Sequence, residues 1–454
     1  MIKNIMLTAL VIVTMTGATF AQESLTLSDA IQKGLDQNYD IRIEAKTVEI
    51  NQNNNAWGQA GRYPGVTLEV GGNGALSDNV KTASPFQAQG ITQSVGVSPA
   101  LNVNWTLFNG FKVNMTKRRF EQLMAESQGN ASVVIANTLQ AIVLGYFNVV
   151  THNQRLSELE KQLELSRDKF DYIKVKSALG SAVAQERLVE EGNYLTDSLN
   201  YIAQQQVLRD AKRALNLLMA ESDLDKDYDF PATLEFENPA YNYDQLKEKM
   251  LAANVDLKKQ FITQTVLATN TEIARADRYP SLMLNGRGGL NSSYVNLSKA
   301  QFFQGGEFVP GPEDWINQVS NQYSLGLSLS FTLFNGGRIN RAIQNALIQE
   351  DIGNLRLDKM RLSMDRDLRR TLDLYNTRKQ IYDINERREE VARINLELSR
   401  DKFRSGSINS FDYRVVQNNY LGAATLKLQA LYSLIESHVA LMRLTGGLVE
   451  TYND

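Results

Sequence analysis

The residues of this chain that could do chemistry in a regular pattern are two carboxylates. Glu186 and Asp412 each lie six residues after a glycine that begins a Gly-Ser dipeptide. A carboxylate in this position has two explanations. It can attract cations where several such groups meet, or it can interact with the partial positive charge at the start of a helix. The residue types alone leave both explanations open.

Other kinds of chemistry have little support. The chain has no cysteine, which excludes disulfides, thiolate metal ligands, cysteine nucleophiles and a cysteine-linked lipid anchor. His152 and His438 have no partner at the spacing of a metal site, so we interpret them as packing or helix-surface residues. We find no nucleophile–base pattern and no phosphate-binding glycines, and the net charge of −3 does not indicate a nucleic-acid partner. The sequence therefore predicts a protein that is not an enzyme and needs no cofactor or metal.

The two carboxylates follow two long segments that are copies of each other. The first runs from Leu107-Phe108-Asn109-Gly110 to Gly180-Ser181, and the second from Leu333-Phe334-Asn335-Gly336 to Gly406-Ser407. Neither contains a proline, and in each the two glycines are 70 residues apart. Apolar residues recur every seven positions, as at Ile142, Val149 and Leu156. We therefore predict two continuous helices of about 105 Å that pack as coiled coils and turn back at the Gly-Ser dipeptides.

The duplication extends over the whole chain. Arg62-Tyr63-Pro64 recurs as Arg278-Tyr279-Pro280, 216 residues later, and each tripeptide ends a helical stretch. The octapeptide at 163–170 recurs identically at 396–403, seven residues out of step with the flanking landmarks, which nearly preserves the helix face. We assign residues 22–238 to a first structural repeat and residues 239–454 to a second. The acidic joint near Asp223 to Pro239 carries two prolines, so we expect an exposed linker.

The N-terminus has the pattern of a signal peptide over residues 1–21. Lys3 precedes an apolar run from Ile5 to Phe20, and small residues stand where cleavage after Ala21 would occur. The alternative, a transmembrane anchor, fits so short a run less well. No later stretch has 18 consecutive apolar residues, so we expect an exported protein without a membrane-spanning helix.

After each Arg-Tyr-Pro the apolar period changes from that of a helix to that of a strand. Apolar residues alternate with polar or small ones at 66–70, 101–107, 282–287 and 323–333. Such strands occur in transmembrane β-barrels and also in water-soluble sandwiches. The signal peptide, the lack of a spanning helix and the long helices favour the barrel. We expect polar loops at 77–93 and 291–322, with the aromatic residues of the second touching lipid or folding the loop on itself.

Four strands cannot close a barrel in lipid, because their edges would lie bare. Several chains must therefore share one barrel, and three chains would supply twelve strands. Glu69 and Arg287 fall on the polar face of their strands. They would line the barrel lumen, or be solvated charges near the strand ends.

Together these features resemble the TolC-like outer-membrane factors, the outer-membrane efflux proteins. The resemblance covers essentially the whole chain after the signal peptide. It rests on the duplicated halves, the two kinds of corner, the turn segment Phe403 to Asp412 and the C-terminal segment Ala440 to Gly447. The implied fold is mixed α and transmembrane β. Four strands per chain would enter a trimeric twelve-stranded β-barrel in the outer membrane of a Gram-negative bacterium, and an α-helical coiled-coil barrel would continue it in the periplasm.

The resemblance implies a passive exit duct of a tripartite efflux or type I secretion system. Its partners would be two further copies of the chain, a periplasmic adaptor, an inner-membrane pump of the RND or ABC type, and outer-membrane lipid. The alternative is a trimeric coiled-coil surface adhesin or structural protein. That class places its strands at one end of the chain, whereas here strand pairs interrupt the helices twice.

The resemblance also assigns roles to single residues. Asp412 and Glu186 would form carboxylate rings at the narrowest part of the pore, where they favour cations and titrate together. The turn residues would contact the adaptor as well as capping helices; they are Gly180, Ser181, Gly406, Ser407 and Ser410. The gating arginine, gating tyrosine and second aspartate of the family are replaced here by Ile408, Phe403 and Val415. Different locks are therefore expected, and Arg187, Arg404 and Arg414 are the candidates to replace the arginine.

Overall fold

The computed structural model describes residues 23–80, 88–181, 183–230, 236–237 and 239–448, which contain eight helices and five strands. The chain divides into two compact units. Unit 1 takes the described parts of Met1–Arg42, Val134–Asn254 and Asp365–Asp454, and unit 2 takes those of Ile43–Val133 and Val255–Met364. Each of the two predicted repeats therefore contributes to both units. The predicted signal peptide lies outside the described residues.

Each repeat begins with a helical stretch that is broken at an asparagine, as predicted. The helices are α1 (Leu27–Gln37) and α2 (Tyr39–Asn54) in the first repeat, and α5 (Tyr243–Ala253) and α6 (Val255–Ala276) in the second. Asn38 is buried and donates its side-chain amide to the carbonyl of Leu218 at 2.8 Å. Asn254 does the same to Leu444 at 2.9 Å. The breaks are therefore fixed points, because each amide satisfies the last carbonyls of another helix.

The two long helices are confirmed. They are α3 (Lys112–Ala178) and α7 (Arg338–Arg404), each of 67 residues. The helices that return from them are α4 (Ala184–Leu218) and α8 (Ser410–Thr445). An 18-residue window of α3 reaches a mean hydropathy of 1.7, which is enough for a membrane span, so the expectation that no later segment is this apolar was too strong. Several residues of α3, including Leu139, Ile142 and Val149, are buried in the core of unit 1.

The core of unit 1 also takes in part of the predicted linker. Tyr228 and Phe230 are buried against Leu215 and Met219, and a single β-bridge joins Asp229 to Ser24. The prediction of an exposed joint was therefore wrong for these residues. The acidic composition concealed two aromatic side chains that contribute large apolar area. Pro231 lies outside the described residues.

Unit 2 contains one antiparallel sheet. Its strands are β1 (Gly65–Asn79), β2 (Gln89–Asn109), β3 (Ser281–Gln304), β4 (Glu307–Pro310) and β5 (Ile316–Ser330). The long strands are ordered β1-β2-β3-β5, and β4 pairs only with the end of β3. The predicted loops at 77–93 and 291–322 were wrong over most of their length, because they continue the strands. Glycine, serine and asparagine there carry no apolar alternation, yet their backbones still pair.

The register places the apolar residues of the four long strands on one face. Val103 faces Val66 on one side and Gly286 on the other, and Leu325 is next in the same row. On the opposite face the equivalent row contains Thr67, Asn102, Arg287 and Ser324. The outer strands β1 and β5 are exposed along their whole length. Unit 2 therefore presents an open sheet with one apolar face.

Gly446 provides a test of the packing at the end of α8. It has φ of +80°, and a Cβ there would lie 2.7 Å from the Cβ of Ala253. We expect Gly446→Ala to lower the free energy of unfolding by about 2 kcal/mol or more, from left-handed strain and overpacking together. The neighbouring Gly447→Ala is the control, because its Cβ would meet no atom closer than 3.8 Å. Equal thermal denaturation curves for the two variants would contradict this account.

Candidate functional site at the helical turns

The two Gly-Ser turns have the same backbone geometry. Gly180 and Gly406 both have φ of +74°. Ser181 donates its backbone N–H to the carbonyl of Lys176 at 2.8 Å, and Ser407 donates to Lys402 at the same distance. This six-to-one hydrogen bond is the Schellman end of a helix. The predicted glycine C-caps are therefore present, whereas the predicted serine N-caps are wrong because Asn409 caps α8 and Val183 precedes α4.

Asp412 and Glu186 lie in the first turns of α8 and α4. The backbone N–H of Asp412 donates to the side-chain oxygen of Asn409 at 2.8 Å, and the amide of Asn409 donates back to the Asp412 carboxylate at 2.8 Å. Asp412 is exposed and Glu186 is half-buried. Both residues have the geometry of helix-start acids, and the pore role of their carboxylates stays a prediction.

A cluster of buried charges lies just beyond the turns and joins α3, α4 and α8. We call it the charge cluster; its ionised members are Lys169, Glu190, Asp197 and Arg414. Lys169 donates to the backbone carbonyl of Ser410 at 2.8 Å and lies 3.1 Å from a Glu190 oxygen. Ser410 Oγ donates a short hydrogen bond to the same carboxylate. The Lys169 and Glu190 side chains are each 3% exposed, so water contributes little to their solvation.

The second half of the charge cluster is a two-pronged ion pair. Arg414 donates from Nη1 and Nη2 to the two carboxylate oxygens of Asp197, at 2.6 and 2.8 Å. Arg414 also reaches Ser166 Oγ at 3.0 Å, and Gln162 donates to Asp197 at 3.3 Å. This fork geometry is the strongest arrangement of an arginine and a carboxylate. Arg414 is therefore paired with Asp197, and not with Asp412 as the sequence suggested.

The surroundings of the charge cluster are apolar and aromatic. The Phe403 and Tyr413 rings stack with centroids 5.0 Å apart, and Lys169 Nζ lies 5.5 Å from the Phe403 centroid. Burial lowers the pKa of Lys169, and the Glu190 carboxylate opposes that shift. Two cations and two anions balance, which makes the buried charges tolerable only while both pairs stay intact.

Sequence analysis missed this cluster because its members occupy core positions without being apolar. Glu190, Asp197 and Gln204 are all buried and recur every seven residues along α4. The apolar heptad predicted for α3 leads to Leu163, whereas the structure buries Gln162, Ser166 and Lys169. Polar residues at a strict seven-residue spacing were the signal that could have identified it. The identical octapeptides also differ, since Lys169 is buried and its counterpart Lys402 is exposed.

The remaining predicted residues lie elsewhere. Glu69 accepts a hydrogen bond from Asn102 at 3.0 Å, and it shares the polar face of the sheet with Arg287. His438 is packed against Tyr241, whose hydroxyl lies 2.8 Å from Nδ1, and burial lowers the pKa of His438 to about 4. His152 contacts Gln204. Within the described residues no group of three or more histidine or acidic side chains is arranged to hold a metal ion.

The sequence matches a known family over its second half. The profile of the family described as outer membrane efflux protein matches residues 246–447. No curated protein sequence matches the chain.

Solved structures match the fold over almost the whole chain. The Campylobacter jejuni CmeC outer membrane channel is 17% identical, with a TM-score of 0.75 over 93% of this chain and 85% of that one. The Vibrio cholerae outer membrane protein VceC is 14% identical, with a TM-score of 0.68 over 92% and 96%. The Neisseria gonorrhoeae MtrE outer membrane channel is 16% identical, with a TM-score of 0.68 over 92% and 88%. The resemblance recognised from the corner and turn motifs is confirmed.

Substitution of Arg414 tests the energetic role of the charge cluster. Arg414→Met leaves the Asp197 carboxylate buried without its cation, so we expect a loss of about 3–5 kcal/mol in the free energy of unfolding. Adding Asp197→Leu removes the stranded charge and should recover part of this loss. Urea unfolding of the single and double variants measures the difference.

The control for this experiment is an exposed ion pair on α7. Arg387 bonds Glu390 at the surface, so Arg387→Met should change stability by about 1 kcal/mol or less. A double variant at 197 and 414 that lost the sum of the two single losses would show that the charges contribute independently, contrary to this account.

Proposed function

Because the chain resembles the outer membrane efflux proteins in sequence and in fold, we propose that it is the exit duct of an efflux system in the outer membrane of a Gram-negative bacterium. Three copies would form one channel, with a β-barrel in the membrane and a helical barrel in the periplasm. The duct would be passive. Energy would come from an inner-membrane pump of the RND or ABC type through a periplasmic adaptor, in tripartite efflux or in type I secretion.

The open sheet of unit 2 is the observation that carries this proposal. Its apolar face is exposed, as at Leu68, Leu325 and Leu329, and both outer strands have an unpaired edge among the described residues. In water such a face would aggregate, and in lipid bare edges are excluded. A barrel shared between chains removes both problems, because the apolar face meets lipid and every edge is paired.

Exposed apolar stripes on helices give independent support for assembly. In unit 1, α4 exposes Leu188, Leu195 and Leu199, and α7 exposes Ile384, Val391 and Leu398. In unit 2, α7 exposes Ile348, Leu355 and Leu362 at the same seven-residue spacing. Heptad stripes of this kind are seams for a neighbouring helix. We propose that the neighbour is another copy of the chain.

The narrow end of the duct would be formed by the helical turns. In a trimer, Asp412 and Glu186 would each recur three times around the axis and give cation-selective rings. Opening would separate α8 from α3 and α4, so it would have to break the Arg414–Asp197 and Lys169–Glu190 pairs. The charge cluster would thus replace the cross-links that the family makes with its gating arginine and tyrosine.

The turns themselves would meet the adaptor. Gly180 and Gly406 leave open space around the backbone, and Ser181 and Ser407 are exposed. Ser410 is different, because it is buried in the charge cluster. We therefore retain the first four residues as adaptor contacts and assign Ser410 to the cluster. Glu69 and Arg287, on the polar face of the sheet, would line the barrel lumen.

The competing function is a trimeric surface adhesin or structural protein, and it also predicts trimers. It does not account for a sheet that both repeats build together. Ion conductance separates the two functions, since an adhesin need not conduct.

A charge placed in the α7 stripe tests the assembly. Val391→Glu would bury an uncompensated carboxylate between chains, so we expect the trimer to be lost. Val391→Thr has nearly the same shape and should retain it. Native mass spectrometry from detergent micelles measures the number of chains. Equal trimer fractions for the two variants would exclude this stripe from the interface.

The pore assignment is tested by ion selectivity in planar bilayers. We expect Asp412→Asn to reduce the preference for cations, and the addition of Glu186→Gln to reduce it further, because each change removes three charges from the axis. Glu390→Gln, on the surface of α7, is the control and should have little effect. If the double variant kept the full cation selectivity, both residues would be helix-start acids only.

A further inference from the structure

The two repeats build the same β-hairpin in the same register. In β1 and β2, Gly65 faces Asn104. In β3 and β5, Ser281 faces Ser330. These pairs are related by the two offsets found in the sequence, 216 residues for the first strand and 226 for the second. A residue of one hairpin can therefore be translated into its structural equivalent in the other.

Inside the chain, the second strand of the first hairpin pairs with the first strand of the second hairpin. Thr106 faces Met283, and the pairing continues to Asn109 opposite Ser281. The corner that follows is closely packed. A Cβ on Gly110 would lie 2.6 Å from the carbonyl oxygen of Ala276 and 2.8 Å from the Cβ of Tyr279. The Leu-Phe-Asn-Gly corner of the first repeat thus packs on the Arg-Tyr-Pro corner of the second.

The equivalent surfaces of the other pair of corners have no partner in the single chain. Residues 105–109 are strand, whereas their equivalents 331–335 lie beyond the end of β5. Leu333 and Phe334 are each 88% exposed. Gly336 has φ of +66°, as Gly110 has +67°, yet a Cβ on Gly336 would meet nothing within 4 Å. The backbone of this corner is formed, and only the contact is absent.

We infer that β5 of one copy pairs with β1 of the next copy in the register that β2 and β3 adopt inside the chain. This inference rests on the proposed function. Translation of the internal pairs places Ser330 opposite Glu69, Phe331 opposite Leu68, and Thr332 opposite Thr67 of the next copy. Gly336 then packs on Ala60 and Tyr63 of that copy, the equivalents of Ala276 and Tyr279.

The translated register agrees with the side-chain chemistry of both strands. It places Leu329 and Phe331 on the same face as Val70 and Leu68, and it places Ser330 on the same face as Glu69. A slip by one residue would put apolar against polar side chains along the whole seam. One internal contact is not repeated. The Lys112–Asp277 ion pair translates to Arg338 and Gly61, so the seam between copies depends on backbone pairing and corner packing.

Disulfide formation tests this register, because the natural chain has no cysteine. Thr67→Cys and Thr332→Cys are introduced into one full-length chain, and the protein is oxidised in outer membranes. Directly opposed residues have Cβ atoms about 5 Å apart. We expect the mass of the major species to shift from one chain to three, and to return to one chain with reductant.

Two matched pairs accompany the test. Thr106→Cys with Met283→Cys occupies the internal equivalent, and it should form a disulfide within one chain without a change in mass. Gly71→Cys with Thr332→Cys is displaced by four residues, about 13 Å along the strand, and should form little intermolecular product.

Each outcome is decisive. Cross-linking of the 71–332 pair in place of the 67–332 pair would overturn the register. Trimers by native mass spectrometry without any intermolecular disulfide would overturn the pairing of β5 with β1 while leaving the proposed duct intact. Monomers in that measurement would contradict the proposed function itself.

Discussion

The feature on which the rest of this structure depends is a sheet that cannot be completed by its own chain. Four long antiparallel strands satisfy one another in the middle, but the outer edges of β1 and β5 have donors and acceptors without a strand to pair with among the described residues. Unpaired backbone groups are unfavourable away from water. The corner at 333–336 is formed yet exposed for the same reason. The exposed heptad stripes of α4 and α7 are the helical equivalent of these open edges. A closed assembly of several copies satisfies all of them together.

The buried charges near the turns represent a different use of free energy. An apolar core at Lys169, Glu190, Asp197 and Arg414 would hold the helices at least as firmly, because ion pairs recover little beyond their own desolvation. Charges instead make the contact all-or-none, since loss of one partner strands the other. Such a contact is suited to an element that must be closed in one state and separate in another. The cluster joins α8 to α3 and α4, next to the turns where the resemblance predicts the gate.

Much of the fold followed from the sequence, because its signals are long and repeated. The 67-residue helices, the breaks at Asn38 and Asn254 and the strand corners each have two copies that support the same interpretation. The predictions failed where composition conceals the structure. Polar strand ends were taken for loops, Tyr228 and Phe230 were hidden in an acidic joint, and Lys169 occupies a core position that an apolar heptad assigns to other residues. Arg414 was recognised as a replacement for the missing arginine, but its partner Asp197 is 217 residues away in the chain and no local pattern connects them.

The central claim is that the sheet is completed by other copies of the same chain. Electron cryomicroscopy of the detergent-extracted protein tests it most directly. The account predicts particles with three chains around one axis and a closed barrel of twelve long strands, in which each β5 pairs with β1 of its neighbour. A single chain whose β1 and β5 pair with each other, or a sheet covered face to face by a second sheet, would contradict it.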